Sequence, residues 1–351
     1  MSFEAQDKGE ILKRLQTHLK KASNGQSIIE GTFNADMLTA NAIEFEQVDA
    51  EIELIIEAAF ANTSWGEFLS MRAAEYGVIR KEAEKAKGMV KVTGQPLASV
   101  IKGSLFATVT GVKFYTTQAA VLDGEGKAFI PVTAEETGTE GNVAAGEITE
   151  IPMSIPGVIS VTNPEETYNG FTEESDAELL ARYLLKVRTP ATSGNKYHYK
   201  QWALSVNGVG QAEAKDCWNG PGTVKVNILD SNNATASAAL IDRVAAYIES
   251  VRPIGATVTI ASPAPKAVDI AADIYGTVDT EKFKEMVNTY FKAGDFGRKK
   301  ISYAKIGALL MSFDTVTDYD NLTLNGTKGN ITIGDEELAA VGEVDLRVVT
   351  E

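Results

Sequence analysis

A glycine-punctuated block between Thr192 and Asp230 constrains the fold of this chain more than any other stretch. It reads TSGNKYHYKQWALSVNGVGQAEAKDCWNGPGTVKVNILD. Bulky side chains recur in it at helical spacing, at Tyr197, Trp202 and Val206. The residues after them tolerate the positive φ that a helix end requires: Asn207, Gly208 and Gly210. The block therefore predicts a helix that ends near Ser205 and leads into a β-hairpin.

The second half of the block predicts the hairpin itself. Apolar residues alternate with polar ones, as in a strand with one buried face, at Val224, Val226 and Ile228. The four residues before this strand, NGPG at 219–222, are typical of a tight turn. No catalytic constellation accompanies the helix and hairpin, so the block favours a role in assembly over a role in chemistry.

An ordered series of phrases surrounds this block. They are GVKFYT from Gly111, TAEETGTEGNVAAGEI from Thr133, IPGVISVTNPEE from Ile155, GFTEESDAELLARYL from Gly170, TSGNKYHYKQWALSVNGVGQA from Thr192 and GPGTVKVNILD from Gly220. Through these phrases, over residues 88–262, the chain resembles the baseplate J-like proteins of contractile phage tails and phage-tail-derived particles.

The resemblance implies a structural wedge subunit of a baseplate and not an enzyme. Such a subunit links wedges into a ring around the hub and couples triggering to sheath contraction. The implied partners are other copies of the chain, a second wedge protein of the phage tail protein I type, a sheath initiator and hub proteins. The implied location is the host cytoplasm during assembly, and then the baseplate of a released virion, bacteriocin or other injection particle.

Length, charge and cysteine content agree with this resemblance. A chain of 351 residues exceeds what one hydrophobic core usually holds. The net charge of -15 argues against nucleic-acid binding, which depends on lysine and arginine. The single cysteine, Cys217, cannot form an intrachain disulfide. With no signal-peptide pattern and no apolar run of about 20 residues, we expect a soluble protein without membrane insertion.

The hydrophobic periodicity changes along the chain and predicts an α+β multidomain fold. Helical spacing extends to about residue 87, and β alternation with turn glycines follows. Two stretches of mixed helices and strands complete the chain. We predict N-terminal helices that form a bundle (1–87), a small β-rich domain (88–168), α/β layer domain I (169–264) and α/β layer domain II (265–351).

One stripe in the N-terminal helices has coiled-coil spacing. The stripe is predicted to continue through Trp65, Phe68, Leu69, Arg72 and Tyr76. The candidate partner-interface residues are Phe45, Val48, Ile52, Ile55, Ala59 and Trp65. The alternative is an ordinary amphipathic helix packed on its own domain. The resemblance favours partners, because it implies wedge proteins that join through an N-terminal helical bundle.

Two shorter segments carry specific expectations. The stretch KEAEKAK from Lys81 to Lys87 is predicted to be a solvated, charged connector. The stretch ESDAELLARYLLKVR predicts a helix with Ser175 or Thr172 as its cap. The predicted buried stripe of that helix is Ala177, Leu180, Leu184 and Val187.

Residues suited to catalysis or metal binding are few. The chain has two histidines, His18 and His198, and the pair His198 and Cys217, with Asp216 as orienter, is the only conceivable nucleophile arrangement. Oxygen-rich loops at Asp123 and Asp230 could hold calcium, but turns are the expected structure there. We therefore predict no catalytic, metal or cofactor residues and no cofactor.

Two other functions remain open at this point. A receptor-binding or glycan-binding tail adhesin would also be acidic, β-rich and poor in cysteine, although this chain lacks the short-period repeats of such proteins. A cysteine hydrolase would depend on Cys217. Adhesion to a host envelope would indicate the first, and an activity lost in Cys217→Ala would indicate the second.

Overall fold

The computed structural model describes residues 4–22, 29, 31–189, 191–294, 296 and 299–349. These residues form a mixed α+β multidomain protein, as predicted. The chain divides into two compact units, Met1–Arg80 with Ser175–Leu184, and Lys81–Glu174 with Leu185–Glu351. The four-part domain division remains a prediction.

The first unit is helical. Its elements are α1 (Lys8–Ala22), α2 (Phe33–Ala59), α3 (Gly66–Ala74) and most of α4 (Asp176–Arg188). Helix α1 lies on α2, where Ile11 and Ala42 are buried and the Lys8 N–H donates to Glu46 Oε1 at 2.8 Å. The apolar pattern expected to run on through Trp65 is interrupted, because α2 ends at Ala59 and Trp65 is the N-cap residue of α3.

Helices α3 and α4 share a small apolar cluster. Leu69 and Ala73 of α3 pack with Leu179 and Tyr183 of α4. The predicted buried stripe of α4 was wrong by about one residue, since Val187 and Ala177 are exposed and Leu180 and Leu184 are only half-buried. The helical period was read correctly, but the position of α3 decides which side of α4 is covered.

The β-rich part of the second unit is a nearly closed barrel. Its strands are β1 (Lys85–Gly94), β2 (Ser99–Val100), β3 (Leu105–Thr108), β4 (Lys113–Thr116), β5 (Ala120–Val121), β6 (Lys127–Thr137), β7 (Ile148–Glu150) and β8 (Val158–Thr162). Six of them form one sheet in the order β7-β3-β4-β6-β1-β8. The Ile148 N–H donates to Asn163 Oδ1 at 2.9 Å, which ties the two sheet edges together.

The expectation that Lys81 to Lys87 is a solvated connector was wrong. Strand β1 begins at Lys85, Ala86 is fully buried, and Lys81 Nζ donates to the Val209 carbonyl at 2.6 Å. From Lys85 the chain is a strand with lysines at its first outward positions, and its first inward positions carry the small residues Ala86 and Gly88. Small inward residues give no apolar signal, so the alternation of the strand is hidden in the sequence.

The central α/β part contains the block that opened the sequence analysis. Its elements are α5 (Lys196–Ser205), β9 (Val209–Asp216), β10 (Thr223–Asp230), α6 (Ala238–Val251) and β11 (Thr257–Ala261). The predicted helix end at Ser205 and the predicted strand are both confirmed. Strands β10 and β9 pair antiparallel, and β10 and β11 pair parallel. Tyr199, Ile228 and Val244 lie in the core between the sheet and the helices.

The last part is a second α/β layer. Its elements are β12 (Ala264–Gly276), α7 (Thr280–Lys292), β13 (Lys300–Ile301), α8 (Tyr303–Leu310), β14 (Val316–Leu324), β15 (Ile331–Thr332) and β16 (Glu337–Val349). The main sheet has the order β14-β12-β16, with β12 central. Phe283 and Val287 of α7 and Ile306 of α8 pack on the buried side chains of β12.

Candidate partner interface

Helix α2 carries the largest set of exposed apolar side chains in the first unit. The structure describes all of its residues, and only Ala42 among them is buried. Its exposed large apolar residues are Phe33, Met37, Ile43, Phe45, Val48, Ile52, Leu54, Ile55 and Ile56. An apolar surface of this kind marks an interaction site in most soluble proteins.

The structure brings five of the six predicted interface residues together. Phe45, Val48, Ile52, Ile55 and Ala59 recur on one side of α2, and all five are exposed. Hereafter these five residues are called the α2 stripe. Trp65 is separate from it, because its ring packs edge-on against Phe68 at 5.6 Å, at the start of α3.

Sequence reasoning overlooked further exposed apolar residues of α2. They are Phe33, Met37, Ile43, Leu54 and Ile56. The signal was present in the sequence, because apolar residues occur around most of the helix circumference. A helix that is apolar on more than one side normally has neighbours on more than one side. Within its own unit α2 has α1 along one side and the stripe lies outside that contact.

The charges of α1 and α2 are opposite. All charged residues of α2 are acidic: Asp36, Glu44, Glu46, Asp49, Glu51, Glu53 and Glu57. Those of α1 are basic apart from Glu10: Lys8, Lys13, Arg14, Lys20 and Lys21. The N-terminal end of α1 meets the acidic side of α2, where Gln6 N donates to Asp49 Oδ2 and Lys8 N donates to Glu46.

A polar contact joins the start of α3 to the start of α4. Asp176 Oδ2 accepts from the Gly66 N–H at 2.9 Å, and Asp176 Oδ1 accepts from Arg80 Nη2 at 2.5 Å. The Gly66 N–H, followed by the Arg80 guanidinium, lowers the pKa of the Asp176 carboxyl below its ordinary value. The contact fastens the two helices beside their shared apolar cluster.

Ion pairs join the modules of the second unit. Arg243 of α6 pairs with Glu84 at 3.0 Å, beside the entry to the barrel. Lys225 of β10 pairs with Glu336 at 2.5 Å, just before β16. Lys225 Nζ also lies 5.0 Å from the centre of the Trp218 ring. The two ion pairs therefore connect neighbouring modules of this unit.

His198 and Cys217, the pair considered for nucleophilic chemistry, each lie in surroundings that do not form a nucleophile pair. His198 stacks on Trp202 with ring centres 4.0 Å apart, and its Nδ1 accepts from the Gly194 N–H at 3.4 Å. Burial, followed by the charge of Lys186, lowers the pKa of His198. Cys217 is exposed in the turn between β9 and β10. His198 therefore packs against an aromatic ring of its own helix.

The two oxygen-rich loops form turns. Asp123 Oδ1 accepts from the backbone N–H groups of Glu125 and Lys127, and Asp230 Oδ1 accepts from those of Asn232 and Ala234. Burial raises the pKa of Asp230. Over the described residues, no three histidine, cysteine or acidic side chains converge as metal ligands would. None of the described helices combines the length and apolarity that a bilayer crossing requires.

Comparison with known protein families assigns most of the chain after residue 88. Residues 89–170 match the Baseplate J-like protein barrel domain. Residues 191–262 match the Baseplate J-like central domain, and residues 268–347 match the Baseplate J-like protein C-terminal domain. The three matches follow the order of the barrel and the two α/β parts.

Individual relatives extend the similarity to the N-terminal helices. Phage-like element PBSX protein XkdT of Bacillus subtilis is 31% identical over 360 residues, covering 98% of each chain. Baseplate protein gp47 of Escherichia phage Mu is 33% identical over 236 residues, covering 62% of this chain and 64% of its own. A chain in the cryo-EM structure of the anti-feeding prophage baseplate aligns over 96% of this chain and 90% of its own, at 12% identity and a TM-score of 0.39.

Proposed function

The chain belongs to the baseplate J-like protein family, and on that premise we propose that it is a structural subunit of the baseplate of a contractile tail. The particle is a phage, a phage-tail-like bacteriocin or another contractile injection system. In the finer form of the proposal the chain is a wedge subunit. It links neighbouring wedges into a ring around the hub and couples triggering to sheath contraction.

The exposed apolar surface of α2 is the observation that carries this proposal. Full burial of a large apolar side chain contributes about 1.5–3 kcal/mol, and α2 leaves a whole series of them exposed. A binding partner would recover that free energy. For an obligate ring contact we expect a buried area above roughly 2,000 Å². We therefore propose that Phe45, Val48, Ile52, Ile55, Ala59 and Trp65 contribute to subunit contacts.

The second unit suits a mechanical role. Each of its modules has its own apolar cluster, and ion pairs such as Arg243 with Glu84 join neighbouring modules. Modules with packed cores keep their internal structure when a force acts on them, because close-packed interiors resist gradual deformation. Triggering would then rotate modules as rigid bodies about their joints. We propose no catalytic step, since assembly alone accounts for the arrangement.

The proposed partners follow from the same role. They are other copies of the chain, a second wedge protein of the phage tail protein I type, a sheath initiator and hub proteins. Assembly takes place in the host cytoplasm, and release of the particle carries the chain outside. The acidic balance of the chain supports protein partners and not nucleic acid.

Complementation of a deletion strain tests the proposal. Cells that lack this chain should produce no contraction-competent tails, and the wild-type chain should restore them. Ile55→Asp places a charge in the α2 stripe at a side chain that is 65% exposed, so it should leave folding unchanged. We expect it to fail in restoring tails, because the charge would be buried without a partner group in the assembled bundle.

A matched control separates the interface from general damage to the helix. Gln47→Asp introduces the same residue at an exposed polar position of α2 away from the stripe, and it should restore tails normally. Circular dichroism and melting temperature should be the same for both variants. Intact, contraction-competent tails in the deletion strain would contradict the proposed function. Specific adhesion of the purified chain to host envelopes would favour the adhesin instead.

A further inference from the structure

We infer that the free edge of strand β11 binds an extended strand of another baseplate protein, in which apolar side chains alternate with lysine or arginine. The inference rests on the proposed function, because it names a second surface through which the chain joins its neighbours. It concerns the central α/β part of the second unit and is independent of α2. Its basis is an unpaired strand edge, a groove beside that edge and the charge at the border of the groove.

Strand β11 lies at the end of its sheet. The sheet has the order β11-β10-β9, and among the described strands β11 pairs with β10 alone. The Thr257 N–H donates to the Gly222 carbonyl at 2.8 Å, on the β10 side. Because successive residues of a strand direct their backbone groups to opposite edges, Val258 and Ile260 direct their N–H and C=O groups away from β10. These groups form a template on which a further strand can pair.

The edge of β11 lacks the usual protection against pairing. Proteins commonly protect an edge strand with charged side chains, proline or a β-bulge. The sequence of β11 is TVTIA, and its pairing with β10 is regular from Thr257 to Ala261. Strand β14, at the edge of the last sheet, instead carries Asp318 and Asp320 and has register shifts. The difference points to β11 as the edge that a partner uses.

A groove follows this edge on the helix side of the sheet. Its volume is about 290 Å³, and its lining residues are Ala245, Ala246, Glu249, Val258 and Ile260. Two of the three helix residues are alanines, so α6 leaves space beside the strand. The lining residues belong to α6 and β11, so the groove opens beyond β11 and not towards α5. A strand paired with β11 would direct every second side chain towards the helices, and an aliphatic one would enter this groove.

The border of the groove is acidic. Glu249 is exposed and accepts from the Arg252 guanidinium at 2.6 Å, so Arg252 compensates its charge. Asp242 lies two turns before Glu249 on the same side of α6 and is also exposed, and it gives the border a net negative charge. Electrostatic complementarity favours partners of opposite charge. The added strand is therefore expected to carry lysine or arginine beside its apolar residues.

The same edge of a second copy does not fit this surface. Pairing of two β11 strands around a two-fold axis would place groove against groove, whereas a two-fold interface requires a surface that is complementary to itself. Two concave surfaces would leave a cavity between them, and unfilled cavities are destabilising. The pairing would also bring the side of α6 that carries Asp242 and Glu249 against the same side of the other copy. A strand of a different protein avoids both problems.

Hydrogen exchange within β11 tests the inference, because neighbouring residues of the strand serve as controls. In the purified chain the Val258 and Ile260 amides should exchange rapidly, and the Thr259 amide, which faces β10, should exchange slowly. In assembled tails the Val258 and Ile260 amides should exchange at least about tenfold more slowly, whereas the Thr259 amide should change little. Mass spectrometry with backbone fragmentation resolves the single amides. Unchanged exchange of Val258 and Ile260 in tails that contain the chain would overturn the inference.

Proline at position 258 removes the outward N–H and no hydrogen bond to β10. Val258→Pro should fold, because proline is tolerated where the N–H of an edge strand faces solvent. In the deletion strain it should lower the yield of contraction-competent tails at least about tenfold relative to the wild-type chain, because strand addition needs that N–H. The matched control, Val258→Thr, keeps the N–H and the branched side chain and should restore tails. Normal tails with Val258→Pro would count against strand addition.

A second pair of variants tests the groove without a change in the backbone of β11. Ala245→Leu fills the groove at a half-buried position, whereas Ala239→Leu adds the same side chain at an exposed position nearly two turns earlier in α6. Circular dichroism should show that both variants fold. Only Ala245→Leu should reduce the yield of tails. Equal yields from the two variants would mean that no partner side chain occupies the groove, which also overturns the inference.

Self-association through β11 is the alternative occupant of the edge. Sedimentation velocity of the purified wild-type chain would reveal it as a dimer that Val258→Pro abolishes, and that result would replace the foreign strand with a second copy. None of these failures affects the proposed function, because the chain would still be required for tails. Failure of the proposed function would appear separately, as normal tails in the deletion strain.

Discussion

Helix α2 and strand β12 differ in how much of their apolar surface their own chain covers. Strand β12 has 13 residues and buries Val268, Ile270, Ala272 and Ile274 against α7 and α8. Helix α2 has 27 residues and buries Ala42 alone. The strand belongs to a module with its own core, whereas the helix exposes apolar residues that the described part of its own unit leaves uncovered. We propose that the difference separates the apolar surface that this chain needs for folding from the surface that binds partners.

The contrast has an energetic consequence. A helix in a protein gains most of its stability from packing of an apolar face, and not from intrinsic propensity. Helix α2 obtains such packing from α1 on one side, so the α2 stripe contributes little to the fold of the isolated chain. Substitutions should therefore have large effects on stability in the second unit and small effects on stability in the stripe.

The sharpest test of this contrast compares two phenylalanines. Phe283 of α7 is 0% exposed and Phe45 of the α2 stripe is 47% exposed. Phe283→Ala should lower the free energy of unfolding of its unit by about 3–5 kcal/mol, because it removes a buried ring and leaves a cavity. Phe45→Ala should change that free energy by only about 0.5 kcal/mol. Urea unfolding followed by fluorescence or circular dichroism measures the free energy of unfolding of both variants. Similar losses of stability in the two variants would contradict the distinction between a buried module core and an exposed stripe.

A second comparison concerns two glycines of the second unit that differ in how closely other atoms surround them. A Cβ at Gly276 (φ +113°) would lie 2.1 Å from the Thr315 carbonyl oxygen, whereas a Cβ at Gly220 (φ +97°) would meet nothing within 4 Å. Gly276→Ala should destabilise by about 1–3 kcal/mol more than Gly220→Ala, because only the first adds steric overlap to backbone strain. Thermal melts of the two variants measure the difference. Equal melting temperatures would mean that strand β14 shifts freely.

The smallest expected effect lies in the first unit. The pKa of Asp176 is below its ordinary value of 3.8, so its carboxylate stabilises the folded state above that pH, and the contribution is lost as pH falls through the lower folded pKa. Asp176 is 44% exposed, so screening by water limits the loss in Asp176→Asn to about 1 kcal/mol or less at neutral pH. Urea unfolding should show that the difference in unfolding free energy between wild type and Asp176→Asn narrows towards zero as the pH becomes acidic. A difference that widens in acid would contradict a lowered pKa for Asp176.

Sequence patterns predicted those parts of the fold that are determined by residues within or next to the element itself. The end of α5 at Ser205 follows from the residues just after it, and β10 follows from the alternation of Val224, Val226 and Ile228. The α2 stripe was also found from spacing alone. These features depend on local capping and periodicity, which one sequence contains.

The features that sequence reasoning missed depend on distant neighbours. Which side of α4 is buried depends on α3, about 100 residues earlier in the chain. Lysines on the outward positions of β1 conceal a strand whose inward residue Ala86 is small. The sequence shows that apolar residues lie around most of α2, but which of them are covered depends on the position of α1. For α4 and α2 the deciding residues lie elsewhere in the chain, whereas for β1 the strand's own small residues hide the pattern.

Hydrogen exchange of the α2 amides, measured in the purified chain and in assembled tails, tests the central claim most directly. The claim is that partners, and not the chain itself, cover the α2 stripe. It predicts that α2 amides between Phe45 and Ala59 exchange at least about tenfold more slowly in tails, whereas the amides of β12 are protected equally in both states. Equal exchange of α2 in the free chain and in tails would contradict it.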